Sequence, residues 1–141
     1  MDPLTSQPSS QAEKTKKRRV LVIEDDPHTQ LLLTKNLEFS GYEVLTACDG
    51  QEGVRVALER IPDLILLDLL LPRLDGWEVC RRLREPNSSV RTVPIMIVSI
   101  IGKDSMQPTQ VMGPISFFNK PFQVQSLLGE IQRILGRAIG G

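Results

Sequence analysis

Apolar and polar residues alternate along the chain in two patterns. Short, almost wholly apolar runs are separated by longer segments in which apolar residues recur every three or four positions. The short runs predict strands buried on both faces, and the longer segments predict helices with one buried face. The predicted strands cover residues 19–23, 42–47, 63–68, 93–99 and 115–119. Strands of this kind alternating with helices indicate a doubly wound α/β fold, in which helices cover both sides of a parallel sheet.

Helices are predicted from capping residues and from helical spacing. They are expected at about 27–39, 49–61, 75–84 and 123–135, with a further one between the fourth and fifth strands. Asp26 is a suitable N-cap for the first of these helices because Pro27 follows it. In that helix we expect Leu31, Leu32 and Leu37 to face the core.

Composition and charge describe an ordinary globular chain with a basic N-terminal end. The 141 residues carry 17 basic and 17 acidic side chains, so the formal net charge is +0 and gives no general attraction to nucleic acid. Residues 1–18 are rich in Ser, Gln, Pro and Lys, and we expect them to form a disordered tail. One domain is expected at 19–136, followed by a flexible end at 137–141.

Neither membrane insertion nor disulfide bonding is indicated. No apolar run approaches the roughly 18 residues that span a bilayer, and the N-terminus lacks the apolar segment of a secretory signal. Cys48 and Cys80 are far apart and have no metal-binding or redox spacing, so we expect both to be reduced and buried. These features predict a cytoplasmic protein without a membrane partner.

Polar residues recur where the predicted strands end. Glu24 and Asp25 follow the first strand, Asp68 ends the third, Ser99 ends the fourth and Lys120 follows the fifth. In an open doubly wound sheet, these ends line the crevice that binds ligands. Each residue alone has a simpler explanation, such as a turn former, a helix cap or a solvated lysine. Their coincidence on one edge favours a site in which three carboxylates hold Mg²⁺ and the lysine and hydroxyl face a phosphoryl group.

The residues around these strand ends form motifs of a known family. The segments VLVIEDDP, LILLDLLLPRLDGWEV, IMIVS and FFNKPF make the chain resemble the receiver domains of bacterial two-component response regulators over about 19–136. The resemblance implies a flavodoxin-like, five-stranded parallel sheet of order 2-1-3-4-5 with five helices. It also implies phosphoryl transfer, to which the protein contributes position and charge.

The resemblance implies a role for each acidic residue. Asp68 matches the phosphoacceptor, which takes a phosphoryl group from a kinase phosphohistidine. Asp25 matches a direct Mg²⁺ ligand, and Glu24 matches one that acts through water. Leu70, two residues beyond Asp68, would lend its backbone carbonyl to the metal.

Further residues match the parts that respond to the phosphoryl group. Ser99 matches the hydroxyl that hydrogen-bonds this group, and Lys120 matches the lysine that pairs with it. The Lys120–Pro121 peptide is expected to be cis. Phe117 falls at an aromatic switch position, and its movement together with Ser99 would alter a partner-binding surface.

One segment departs from the family pattern. Gly102 and Pro108 interrupt the fourth of the five helices, which we therefore expect to be short or distorted. Ile100 stands where a small residue is usual after the Ser/Thr position, and we expect its side chain to screen an acyl phosphate from water. In these two features, the chain resembles receivers that are joined to histidine kinases.

The expected partners follow from the resemblance. A histidine kinase or a phosphotransfer protein would supply the phosphoryl group, and a downstream protein or a covalently linked output or kinase domain would respond. We expect no direct contact with nucleic acid, because only RAIGG follows Gly136, and the oligomeric state is left open. Apart from its own phosphorylation and slow self-dephosphorylation, the domain is not expected to be an enzyme.

Two alternatives compete with a phosphoacceptor. The first is a receiver-like module that acts by protein contact without phosphorylation, and the irregular segment after Ser99 is its only support. The second is a phosphatase of the aspartyl-phosphate type. Those enzymes use D-x-D after the first strand, whereas this chain has Glu24 in place of the first aspartate.

Overall fold

The five expected strands form one parallel sheet. In the structure, a computed structural model that describes residues 16–100 and 113–136, they are β1 (Arg19–Ile23), β2 (Glu43–Ala47), β3 (Leu64–Leu67), β4 (Ile95–Ser99) and β5 (Ile115–Asn119). Their order is β2-β1-β3-β4-β5, and every neighbouring pair is parallel. The flavodoxin-like fold and strand order are therefore confirmed.

The residues described contain four helices: α1 (Pro27–Phe39), α2 (Gly50–Arg60), α3 (Gly76–Leu83) and α4 (Val124–Leu135). The first three begin after an aspartate whose side chain accepts a hydrogen bond from a backbone N–H in the first turn. The fifth expected helix, between β4 and β5, together with its proposed distortion, falls at 101–112, outside the described residues.

The core has one layer on each face of the sheet. Alternate residues of the buried strands point to opposite faces, as the pleat of a strand requires. On one face Leu21 and Ile65 pack with Ala57 of α2 and Val79 of α3. On the other face, the strand residues pack against buried side chains of α1 and α4. The sheet edge that carries the polar residues is thus fixed from both sides.

The expected orientation of α1 was wrong for two leucines. Leu31 and Leu32 are 56% and 45% exposed, whereas Leu33 and Leu37 are buried in the core. Residues 33 and 37 are four positions apart and share a helix face, which places the first two leucines on the opposite side. Three consecutive leucines made the inward-facing side of this helix ambiguous in the sequence.

The cysteines and the N-terminal boundary also differ in detail from expectation. Cys80 is buried in α3, whereas Cys48, just beyond the last residue of β2, is exposed, so the expected burial of Cys48 was wrong. Burial raises the pKa of the Cys80 thiol to about 12. The Arg18 carbonyl accepts a hydrogen bond from the Glu43 N–H, so backbone pairing begins before residue 19. Of the expected tail, residues 1–15 lie outside the described part, as do residues 137–141.

A helix that spans a membrane must be both long and apolar. Among residues 16–100 and 113–136, no helix meets both requirements.

Candidate functional site

Four strand ends bring the expected polar side chains together. Glu24 follows β1, Asp68 follows β3, Ser99 ends β4 and Lys120 follows β5. Because these strands are neighbours in the order β1-β3-β4-β5, their carboxyl ends lie in a row at one edge. Glu24, Asp68 and Ser99 are all buried there. Charged side chains are seldom buried unless they are paired, so partners are expected for both carboxylates.

Asp68 has partners for both of its carboxylate oxygens. Its Oδ1 accepts hydrogen bonds from the Ser99 hydroxyl and from the Leu70 N–H, each at 3.1 Å. Its Oδ2 accepts from Lys120 Nζ at 3.0 Å. With only 7% of the residue exposed, these contacts offset the cost of a buried negative charge. The acidic residue inside a leucine-rich segment is therefore placed at the centre of a polar cluster.

Glu24 lies beside Asp68 and shares its lysine. Lys120 Nζ donates to Glu24 Oε1 at 2.7 Å, and the Asp26 N–H donates to Oε2 at 3.1 Å. Burial raises the pKa of the Glu24 carboxyl, and the hydrogen bond from Lys120 opposes this rise without cancelling it. The nearby Asp68 carboxylate adds to the rise because like charges repel.

Lys120 follows the outermost strand, β5, and its ammonium group reaches both Glu24 and Asp68. Burial alone would lower its pKa, but hydrogen bonds to Glu24 and Asp68 outweigh burial and raise the pKa of the ammonium group. Its backbone N–H donates to the Ser99 carbonyl at 3.0 Å, which ties the end of β5 to the end of β4. The Lys120–Pro121 peptide bond is cis, at the position where the resemblance implied one.

The acidic residues form a group with the composition of a hard-cation site. Carboxylate oxygens of Glu24, Asp25 and Asp68 all lie within 4.8 Å of one another, and Asp25 is exposed at the rim. Three carboxylates beside one ammonium group leave about two negative charges uncompensated, which a divalent cation would balance. Oxygen donors with an open side suit Mg²⁺, which keeps several water ligands. The residues present therefore fit a magnesium ion.

The loop after Asp68 is packed closely against α3. A Cβ atom on Gly76 would lie 2.8 Å from the Asp68 carbonyl and 2.5 Å from Leu69 Cα, so only glycine fits at this position without a shift. Leu70 is 49% exposed, and its N–H contacts Asp68. The expected role of its carbonyl as a metal ligand stays a prediction.

Phe117 lies on β5 rather than in the polar cluster. It is half-buried on the sheet face that α2 and α3 cover, and its ring centroid is 6.5 Å from that of Trp77. The interplanar angle of 55° is typical of a tilted aromatic contact. Its role as a switch stays a prediction. The contact with Trp77 means that a movement of Phe117 can be followed by tryptophan fluorescence.

Sequence reasoning missed the contacts of two residues that support this edge. Gly76 was seen only at a predicted helix start and in a family motif, without a reason for the glycine, and Gln30 was not singled out. The Gln30 side chain donates hydrogen bonds to the carbonyls of Glu24 and Ala47. A polar residue in the first turn of a helix is common, so no signal in the sequence marked it.

A match to a family model identifies the family of this chain. The model described as "Response regulator receiver domain" matches residues 20–132. This chain is a member of the response regulator receiver domain family. Receiver domains of response regulators act in two-component signalling, and they are signalling domains rather than conventional enzymes.

Curated relatives and solved structures agree with the family. The DNA-binding dual master transcriptional regulator RpaA of Synechocystis sp. is 38% identical over 121 residues, covering 84% of this chain and 49% of RpaA. The chemotaxis response regulator CheY4 of Vibrio cholerae has a TM-score of 0.77 at 27% identity, covering 85% of this chain and 100% of CheY4. The receiver domain of sensor histidine kinase PA1611 from Pseudomonas aeruginosa has a TM-score of 0.73 at 30% identity, covering 85% and 98%.

The comparisons also bear on the expected partners. This receiver chain spans about half the length of the curated relatives it matches. The name of RpaA states that this relative binds DNA. The expectation of no direct contact with nucleic acid is therefore not supported by the relatives.

Proposed function

We propose that Asp68 accepts a phosphoryl group from the phosphohistidine of a histidine kinase or phosphotransfer protein. The observation that carries this proposal is the buried Asp68 carboxylate, which lies between Lys120 and Ser99 beside two further acidic side chains. A carboxylate that is held in one orientation at the end of a strand is suited to attack phosphorus. The surrounding charges are suited to stabilise the phosphoryl oxygens.

Mg²⁺ is the proposed cofactor of this reaction. Glu24, Asp25, Asp68 and the Leu70 carbonyl would hold it, with water completing its coordination. The clustered carboxylate oxygens support this assignment, and the related PA1611 receiver has a magnesium ion coordinated in its active-site cleft. When bound, the ion supplies positive charge that offsets the negative charge of the transferred group.

The remaining side chains would act in sequence. One Asp68 oxygen attacks the phosphorus atom in line, a P–O bond forms, and the P–N bond to the donor imidazole breaks with its electron pair returning to nitrogen. Lys120 Nζ then pairs with phosphoryl oxygen in place of the Asp68 carboxylate. The Ser99 hydroxyl exchanges its bond to Asp68 Oδ1 for a bond to the phosphoryl group.

The response would reach partners through the β5 side of the sheet. Movement of Ser99 toward the phosphoryl group would leave space that the Phe117 ring fills. Since Phe117 contacts Trp77, this movement changes the surroundings of the sole tryptophan. A downstream protein or a covalently linked output or kinase domain would recognise the altered surface.

Beryllofluoride, a mimic of a bound phosphoryl group, tests the proposal. With Mg²⁺ present, it should change the fluorescence of Trp77 in the wild-type protein. Asp68→Asn should abolish the change. Asp63→Asn is the matched control, because Asp63 precedes the same strand at its opposite end and its side chain accepts only from the Arg19 N–H among described contacts.

Two results would count against the proposal. A response that persists in the Asp68→Asn variant would show that the mimic binds elsewhere. The absence of any response in wild type and Asp63→Asn would favour the module that acts by protein contact without phosphorylation.

A further inference from the structure

The Gln30 side chain connects the ends of two strands beside the acidic cluster. Gln30 lies in the first turn of α1, and its Nε2 donates to the Glu24 carbonyl at 3.0 Å and to the Ala47 carbonyl at 3.2 Å. The same nitrogen is 3.8 Å from Cys48 Sγ. One carboxamide therefore holds the last carbonyl of β2 and the first carbonyl beyond β1.

The orientation of this carboxamide is fixed by its surroundings. Both neighbouring acceptors are carbonyl oxygens, so the NH₂ group must face them, because the amide oxygen would meet them without a proton to share. The backbone N–H of Glu24 also donates to the Ala47 carbonyl, at 3.0 Å. Gln30 thus completes a small network that includes both strand ends.

With this contact, each polar group of Glu24 has a partner. Its N–H bonds Ala47, its carbonyl accepts from Gln30, and its two carboxylate oxygens accept from Lys120 and from the Asp26 N–H. The peptide group between Glu24 and Asp25 is planar in any case, and the hydrogen bond from Gln30 to the Glu24 carbonyl fixes the direction in which it points. That peptide leads directly to the exposed carboxylate of the acidic cluster.

Asp25 itself depends on this backbone. Within residues 16–100 and 113–136, its carboxylate has no hydrogen bond, although it contributes to the group of oxygens within 4.8 Å. Its placement is therefore set by the peptide that precedes it and by the start of α1. A ligand that is not held by its own side-chain contacts relies on the groups that orient its backbone.

We propose that Gln30 is a positioning residue for the magnesium site, acting through the Glu24–Asp25 peptide. This inference rests on the proposed function, because it concerns the ion that the phosphoryl transfer would use. Gln30 does not touch the metal or the phosphoryl group. Its carboxamide lowers the free energy needed to bring the carboxylates together around the ion. Loss of the carboxamide should therefore weaken Mg²⁺ binding more than it slows phosphoryl transfer once the ion is bound.

The test is the Mg²⁺ dependence of phosphorylation by acetyl phosphate. Gln30→Met keeps the side-chain length and removes both donors, and it should raise the half-saturating Mg²⁺ concentration by about tenfold. The rate at saturating Mg²⁺ should remain within about twofold, since the reacting groups are unchanged. Gln30→Arg restores N–H donors and should recover most of the affinity. Gln51→Met is the control, because Gln51 is an exposed glutamine in the first turn of α2.

The outcomes separate this inference from the proposed function. If wild-type protein shows no Mg²⁺-dependent phosphorylation, the proposed function fails first. If wild type is active but Gln30→Met has an unchanged Mg²⁺ requirement, or if Gln30→Arg is no better than Gln30→Met, the positioning role is wrong. Thermal denaturation with and without Mg²⁺ gives a readout that does not depend on phosphorylation. The rise in melting temperature caused by a fixed Mg²⁺ concentration should be smaller in Gln30→Met than in wild type, and an equal rise, even from a lower starting melting temperature, would overturn the inference.

Discussion

At the scale of single residues, the acidic edge depends on one ammonium group. Lys120 donates to both Glu24 and Asp68, and hydrogen bonds to these carboxylates raise its pKa despite burial. A raised pKa in the folded protein means that the charge of Lys120 stabilises folding at pH values below its ordinary pKa of 10.5, as long as its carboxylate partners are ionised. On the alkaline side, this contribution is lost as the pH rises through the raised folded-state pKa.

Replacing Lys120 should therefore destabilise the protein in a metal-dependent way. Lys120→Met leaves the acidic side chains without their cation, and the free energy of unfolding at neutral pH should fall by about 2 to 3 kcal/mol in the presence of a chelator. The loss should be smaller in Mg²⁺, because the ion supplies the missing charge. Urea denaturation with and without Mg²⁺ measures both values. Lys35→Met, on the exposed side of α1, is the control, and an equal loss in both conditions would contradict the expectation.

Ile100 should control how long the phosphorylated state lasts. Its side chain is 67% exposed directly after the buried Ser99, at the rim where water would reach an acyl phosphate. Ile100→Ala should shorten the half-life of the phosphorylated protein because it opens that rim. The decay can be followed after removal of the phosphodonor. A half-life equal to that of wild type would show that the Ile100 side chain does not protect the acyl phosphate from water.

At the scale of elements, close backbone contacts decide where the helices can lie. Gly76 begins α3 directly against Asp68 and Leu69, and a side chain there would meet backbone atoms. At Gly129 in α4, an added Cβ atom would have no neighbouring atom within 4 Å. Both glycines lie in helices, but only Gly76 is required by a close backbone contact.

This difference predicts opposite effects of the same substitution. Gly129→Ala should raise the free energy of unfolding by about 1 kcal/mol, because alanine favours the helix. Gly76→Ala should lower it by about 1 to 3 kcal/mol, because the loop that carries the phosphoacceptor must move. Urea denaturation of both variants tests the pair. A neutral or stabilising Gly76→Ala would show that the loop adapts without cost.

The sequence predicted the positions of the buried strands more reliably than the buried face of α1. Leu31 and Leu32 were assigned to the core, but a run of three leucines contains two helix faces and does not indicate which one is buried. The central strands carried no such ambiguity, because residues such as Leu66 and Ile97 are buried whichever face they occupy. Periodicity thus located the elements better than it oriented them.

At the scale of the whole molecule, the polar edge follows from topology. Residues 24, 68, 99 and 120 are far apart in sequence, and the parallel order of four adjacent strands brings their side chains together. The principle that ligands bind at carboxyl ends of such strands made the location predictable. The contact of Gln30 with Glu24 was not predictable, because it depends on the angle between α1 and the strand ends.

The role of Asp68 can be measured by locating the phosphoryl group after incubation with acetyl phosphate. We expect a single phosphoryl group per chain that requires Mg²⁺, is released by hydroxylamine as an acyl phosphate is, and maps to Asp68 by mass spectrometry of peptides. It should be absent from Asp68→Asn and present in Asp63→Asn. Modification at another residue, or phosphorylation that persists in Asp68→Asn or without a divalent cation, would show that Asp68 is not the Mg²⁺-dependent phosphoacceptor.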